Sequence, residues 1–125
     1  MKYLLAFENK KIKEGNFEIF FEVPGSLSSK KDLINLFRNE LNFPDKTGSN
    51  WDAFYDILSD LYWLDIKEVV VYHDSLPQLN ENDLIIYLET IRDLLKNSDK
   101  MGKILKFVFN DRDKEKVQSL MQTDS

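Results

Sequence analysis

Apolar residues fall into short clusters whose spacing changes along the chain. Tyr3 to Phe7 and Phe17 to Val23 are dense in aromatic and branched side chains, and the polar stretch between them contains Gly15 and Asn16. Both clusters read as strands, joined as a hairpin. Pro24 and Gly25 close the second, and Ser28 and Ser29 then offer caps, Ser29 at capping-box spacing from Asp32. Leu33, Leu36, Phe37 and Leu41 follow at helical spacing until Asn42 and Pro44 stop the helix. After a loop from Phe43 to Asn50, a second helical stripe runs through Trp51, Phe54, Tyr55, Leu58, Leu61 and Tyr62, which predicts a helix from Trp51 to Trp63.

Lys67 to Tyr72 contains three consecutive valines, the mark of a strand covered on both faces in the middle of a sheet. Pro77 breaks the chain, Asn80 can cap, and Leu84, Leu88, Ile91 and Leu95 define a third helix to about Lys96. Ile104 to Phe109 reads as a last buried strand. The alternation of strands and helices predicts an α/β fold with a parallel sheet, to which the first strand is an addition. One domain is expected over residues 1–112, with residues 1–16 as its extra strand, and a polar tail over 113–125 that is either a short helix or disordered.

Composition narrows the function more than the fold. The 125 residues include no cysteine, which excludes disulfides, thiolate metal sites and cysteine nucleophiles. No apolar run approaches membrane-spanning length, and the early one, Tyr3 to Phe7, is too short for a signal-peptide core, so a cytoplasmic location is expected. The net charge of -5 would repel nucleic acid and favours a basic partner. The acidity is concentrated: Glu40, Asp45, Asp52, Asp56, Asp60 and Asp65 stand against the single Lys46.

On a helical wheel Asp52, Asp56, Ser59 and Trp63 share one side of the second helix, within about 40° of Asp52 at ~100° per residue. The apolar stripe occupies the other side, so the helix can be held by its core face while it shows two carboxylates and an indole outward. A plainer account has Asp52 complementing the helix dipole as capping-box partner of Ser49, with Asp56 and Asp60 solvated. Glu89 and Asp93 on the third helix, beside Arg92 and Lys96, fit ordinary surface pairing. His73, the sole histidine, ends a strand where open α/β sheets often place functional groups, although a structural role suits it as well. Asp52, Asp56 and Asp60 would suit a magnesium ion. Nucleotide loop, nucleophile elbow and zinc motif are all missing from the chain, so no catalytic residue, resident metal or cofactor is expected.

From Gly48 to Asp56 the chain reads Gly-Ser-Asn-Trp-Asp-Ala-Phe-Tyr-Asp. This resembles the signature of the barstar family: Gly, any residue, Asn, an apolar residue, Asp, Ala, an apolar residue, an aromatic, Asp. Leu33 to Pro44 resembles that family's first helix and its closing turn, and the resemblance extends over about Phe17 to Asn110. It implies a barstar-like fold, a three-stranded parallel sheet packed with helices, here with an additional N-terminal edge strand. Members of the family are small inhibitors that bind a secreted ribonuclease inside the producing bacterial cell, and similar members are immunity proteins paired with toxins.

By resemblance, Asp52 and Asp56 correspond to the helix carboxylates that enter the nuclease site, Gly48 and Asn50 to the binding loop, and Asp93 to an acid on the last helix. Lys46 and Thr47 stand where the best-known member has loop aromatics, and Tyr55 where it has tryptophan. The expectation is therefore an inhibitor, monomeric when free, that blocks the cationic active site of a cognate basic toxin, with Tyr55, Ser59 and Trp63 around its two aspartates. The alternatives are an interaction module for a basic partner that is not a toxin, and a magnesium-dependent hydrolase.

Overall fold

The computed structural model describes residues 1–9, 19–44, 48–65, 67–99 and 102–121. Strands β1 (Lys2–Glu8) and β2 (Ile19–Glu22) precede helices α1 (Lys30–Leu41) and α2 (Trp51–Leu58). Strand β3 (Glu68–His73), helix α3 (Glu81–Lys96), strand β4 (Ile104–Asn110), a 3₁₀ turn (Asp111–Asp113) and helix α4 (Lys114–Met121) follow. The strands form one sheet in the order β1-β4-β3-β2, and every neighbouring pair is parallel. The α/β class, the parallel sheet and the added edge strand are all as the sequence led us to expect.

The period of two along the strands divides the sheet into two unequal faces. Tyr3, Phe21, Val69, Val71, Leu105, Phe107 and Phe109 point into one large core shared with all four helices. Val70, Tyr72 and Val108 point the other way into a small second cluster. Strand β3 is thus apolar on both faces, which explains its valine run. Helix α4 buries Val117 and Met121 in the same main core. Of the two readings for the end of the chain, a short helix holds over the described part.

Helices α1 and α3 begin where their caps predict. Ser29 is the N-cap of α1, its hydroxyl accepting from the Asp32 amide at 3.1 Å, and Asn80 caps α3 by accepting from the Asp83 amide at 2.8 Å. Asn42 ends α1 in the left-handed conformation, which asparagine tolerates.

Two expectations are overturned. The first two strands do not form a hairpin: β1 pairs with β4 and β2 with β3, on opposite edges. Strand β4 is buried from Phe107 to Asn110, so its backbone N–H and C=O groups need a partner strand on each edge; β1 supplies one, with Lys2 opposite Ile104 through to Glu8 opposite Asn110. Gly15, Asn16 and Phe17, on which the hairpin reading leaned, lie outside the described residues. The second helix ends at Leu58 rather than Trp63, because Leu61 takes a left-handed backbone with φ of 48°. That conformation costs a leucine about 1–2 kcal/mol. Full burial of the Leu61 side chain, and the bond its carbonyl accepts from Lys103 Nζ at 2.6 Å, offset the strain.

Candidate partner-binding face

Asn50 starts α2. Its side-chain oxygen accepts from the Ala53 amide at 2.8 Å while its carbonyl accepts from Phe54 at 3.1 Å. This removes the capping box built on Ser49 and leaves Asp52 in the first turn, at the positive end of the helix dipole. The Ser49 hydroxyl and the Gly48 carbonyl instead accept from the Arg38 guanidinium of α1, at 3.4 and 3.3 Å.

The inner side of α2 is locked. Phe54 is fully buried and packs edge-on against Phe37, with ring centroids 4.9 Å apart. Trp51 donates its indole N–H to Asp83 in the first turn of α3 at 3.3 Å, and the Tyr55 hydroxyl accepts from Asn97, just past the end of α3, at 2.7 Å. The same Asn97 amide donates to the carbonyl of Asp93, so that Asp93 and Tyr55 are joined through one side chain. Leu58 closes the core side of the helix.

The outer side is open. Gly48, Ser49, Asn50, Asp52, Asp56, Ser59 and Asp60 are all exposed. The structure therefore brings the loop residues Gly48 and Asn50 together with Asp52 and Asp56, and sets Tyr55 at their edge. Lys46 and Thr47 lie outside the described residues. Ser59 is the C-cap of α2, its hydroxyl donating to the Asp56 carbonyl at 2.8 Å.

Trp63 is not on the helical face that the wheel assigned to it, since the helix has ended. Its indole donates to the Leu41 carbonyl at 2.9 Å and its ring packs on Phe43, so it joins α1 to the segment after α2. Tyr62, read from the sequence as core, is 71% exposed and lies edge-on against Trp63. It is the large apolar side chain that the pattern missed. The spacing of Leu58, Leu61 and Tyr62 continues the helical repeat, and a leucine carries no signal that it will turn left-handed.

Asp93 does not stand as a free carboxylate. Arg92 meets it at 3.2 Å, reaches Glu89 at 3.5 Å and donates to the Met121 carbonyl at 2.9 Å. His73 is fully buried and structural. Its Nδ1 lies 2.9 Å from the Val108 carbonyl and its Nε2 2.7 Å from the Tyr87 hydroxyl. A carbonyl can only accept, so Nδ1 carries the proton and Nε2 accepts from Tyr87. Burial lowers the ring's pKa to about 4, opposed in part by the bond to Val108. Among the described residues, no group of three or more His, Asp or Glu side chains is placed to hold a metal ion, and Asp52, Asp56 and Asp60 do not form one. No described helix is long and apolar enough to cross a membrane.

Fold and face together define a small α/β protein that holds a short helix by its apolar side and offers the carboxylates of the other side to its surroundings. The chain belongs to the barstar family, described as barnase inhibitors, whose profile matches residues 20–119. The matched span takes in most of β2 through most of α4 and leaves out β1. A comparison with curated proteins gives no match.

Proposed function

We propose that this protein is an inhibitor or immunity protein that blocks the cationic active site of a cognate toxin, a ribonuclease, in the cytoplasm of the bacterial cell that makes it. The observation that carries this reading is the exposure of Asp52 and Asp56 on a helix whose opposite side is fixed in the core. A ribonuclease site built to hold phosphate presents arginine, lysine or histidine, and rigidly held carboxylates can take the place of the phosphates. Inhibition then requires no chemistry from the inhibitor, in keeping with a family of inhibitors rather than enzymes.

In this reading Asp56 and Asp52 are the anchors. Gly48 and Asn50, with Lys46 and Thr47 before them in the sequence, supply the loop that lies against the toxin, Tyr55 and Ser59 border the anchors and exclude water, and Trp63, anchored to Leu41, contributes by holding the exposed ring of Tyr62. Asp93 contributes from α3 once its pairing with Arg92 is exchanged for a toxin cation. The free protein is a monomer, and its clustered charge speeds encounter while desolvated central pairs slow dissociation.

The experiment is a capture of partners from the native cell, comparing the intact protein with the Asp52→Ala, Asp56→Ala double variant. A basic ribonuclease or toxin domain held by the intact protein and lost by the variant is the expected result. Recovery of the same partners by both would remove α2 from the interface and the reading with it.

A further inference from the structure

Strand β1 lies outside the span matched by the family profile, yet it reaches the acidic helix. The Tyr3 hydroxyl donates to the carbonyl of Leu58, the last residue of α2, across a buried 2.7 Å bond. That carbonyl is among those a helix leaves without an internal partner, so a buried donor is needed there. Tyr3 is 5% exposed. Burial pushes its phenol up to about 12, with the charges of Tyr55, Asp60 and Asp99 adding to the rise, so the donor proton is always present.

A second route joins the same strand to the same helix. The Ser98 hydroxyl accepts from the Tyr3 amide at 2.8 Å and lies 3.4 Å from the Tyr3 carbonyl, to which it donates. The preceding residue, Asn97, holds the Tyr55 hydroxyl of α2 at 2.7 Å. The turn after α3 is thus tied to β1 on one side and to α2 on the other. Asp56 stands between the two braced residues, Tyr55 and Leu58.

From these contacts we infer that β1 is a brace for the acidic helix, with Tyr3 as a positioning residue that holds the second turn of α2, and so Asp56, in place before any partner arrives. The functional half of this inference rests on the inhibitor reading above; the brace itself does not. A helix pre-ordered in its binding geometry loses less conformational freedom on association.

The test is amide hydrogen exchange on the intact chain, the Tyr3→Phe variant, which keeps the ring in the core and removes only the donor, and the Leu5→Ala variant, which weakens the packing of the same strand. The amides of Ser59, Asp60 and Leu61, bonded to the carbonyls of Tyr55 and Ile57, report on the end of α2, and Leu33, bonded to Ser29, reports on α1. In Tyr3→Phe the three α2 amides are expected to exchange about tenfold faster relative to Leu33, whereas Leu5→Ala shifts all four together. A uniform shift of all four amides in Tyr3→Phe, with no excess at α2, would overturn the brace, whereas an excess at α2 in Leu5→Ala as well would support it as a property of the whole strand. With barnase as probe, Tyr3→Phe is further expected to dissociate about tenfold faster than the intact protein. Failure of the intact protein to bind barnase would count against the inhibitor reading for that ribonuclease, while the exchange pattern decides the brace separately.

Discussion

His73 shows how a residue can occupy a functional position and have a structural job. Both ring nitrogens are satisfied by Val108 and Tyr87, and the ring stacks on Phe109 at 4.0 Å. Its consequence is for stability against pH. The unfolded chain takes up a proton near the ordinary histidine pKa of 6.5, whereas the folded chain resists until about 4. Between these values the unfolded state binds more protons, so this contribution is complete above pH 6.5 and is lost as pH falls toward 4. Urea unfolding from pH 7 to pH 4 should show the intact protein losing roughly 3 kcal/mol more than His73→Gln. Parallel losses in the two proteins would contradict the buried neutral ring.

Gly48 poses the opposite question at the same scale. Its φ is not in the left-handed region, and a Cβ there would meet Ala53 Cβ at 3.4 Å and Asn50 Nδ2 at 3.5 Å, ordinary contact distances. The free fold does not require glycine, and in the proposed reading its use is the close approach of a partner's surface. Gly48→Ala should therefore keep the melting temperature within about 2 °C, on a scale where 1 kcal/mol moves a domain of this size by several degrees. Its affinity for the captured partner should fall by about tenfold or more. A lowered melting temperature with unchanged affinity would reverse the assignment.

At the scale of elements, α1 and α3 were legible because local and global signals agreed: Ser29 and Asn80 cap, Asn42 stops, and the apolar spacing is all helix. In α2 they parted. The spacing of Leu58, Leu61 and Tyr62 satisfied a helix, and burial of Leu61 was read correctly, but the backbone reaches that burial by turning left-handed with Lys103 holding the carbonyl. A contact between residues 42 positions apart has no local trace. The start of α2 was half legible, since its cap is Asn50 rather than Ser49. Asn50→Ala is expected to lower stability by about 1 kcal/mol in urea unfolding, and Asn50→Asp to restore it by supplying the same acceptor. Equal losses in both would mean that the cap is not what holds this end.

For the molecule as a whole, strand and helix order implied a parallel sheet, and β3 was placed in its interior from three valines. The hairpin was misread because neighbouring strands in sequence usually pair, and the need of buried β4 for a partner on its second edge, met by residues 102 positions away in β1 (Lys2 opposite Ile104), outweighed that tendency. The candidate face was legible in its central part. Asp52 and Asp56 share the exposed side of α2 as the wheel indicated, whereas Trp63 and Tyr62 depended on where the helix stops.

Charge also acts at this scale. The acids of the segment from Glu40 to Asp65 that are described, Glu40, Asp52, Asp56, Asp60 and Asp65, are all exposed, so a long-range field is expected to steer a basic partner. The association rate with the captured partner should fall about tenfold or more from low salt to ~0.5 M, with a much smaller change in dissociation. A salt-independent association rate would show that the clustered acids do not guide encounter.

The most direct measurement compares the affinity of the captured partner for Asp56→Ala and for Glu115→Ala, an exposed acid on α4 remote in sequence from the proposed face. The expected result is a loss of roughly 30-fold or more at Asp56, the scale of a desolvated interfacial anchor, and a change within about threefold at Glu115. Equal effects at the two positions would mean that net charge alone binds the partner, and that α2 is not the binding face.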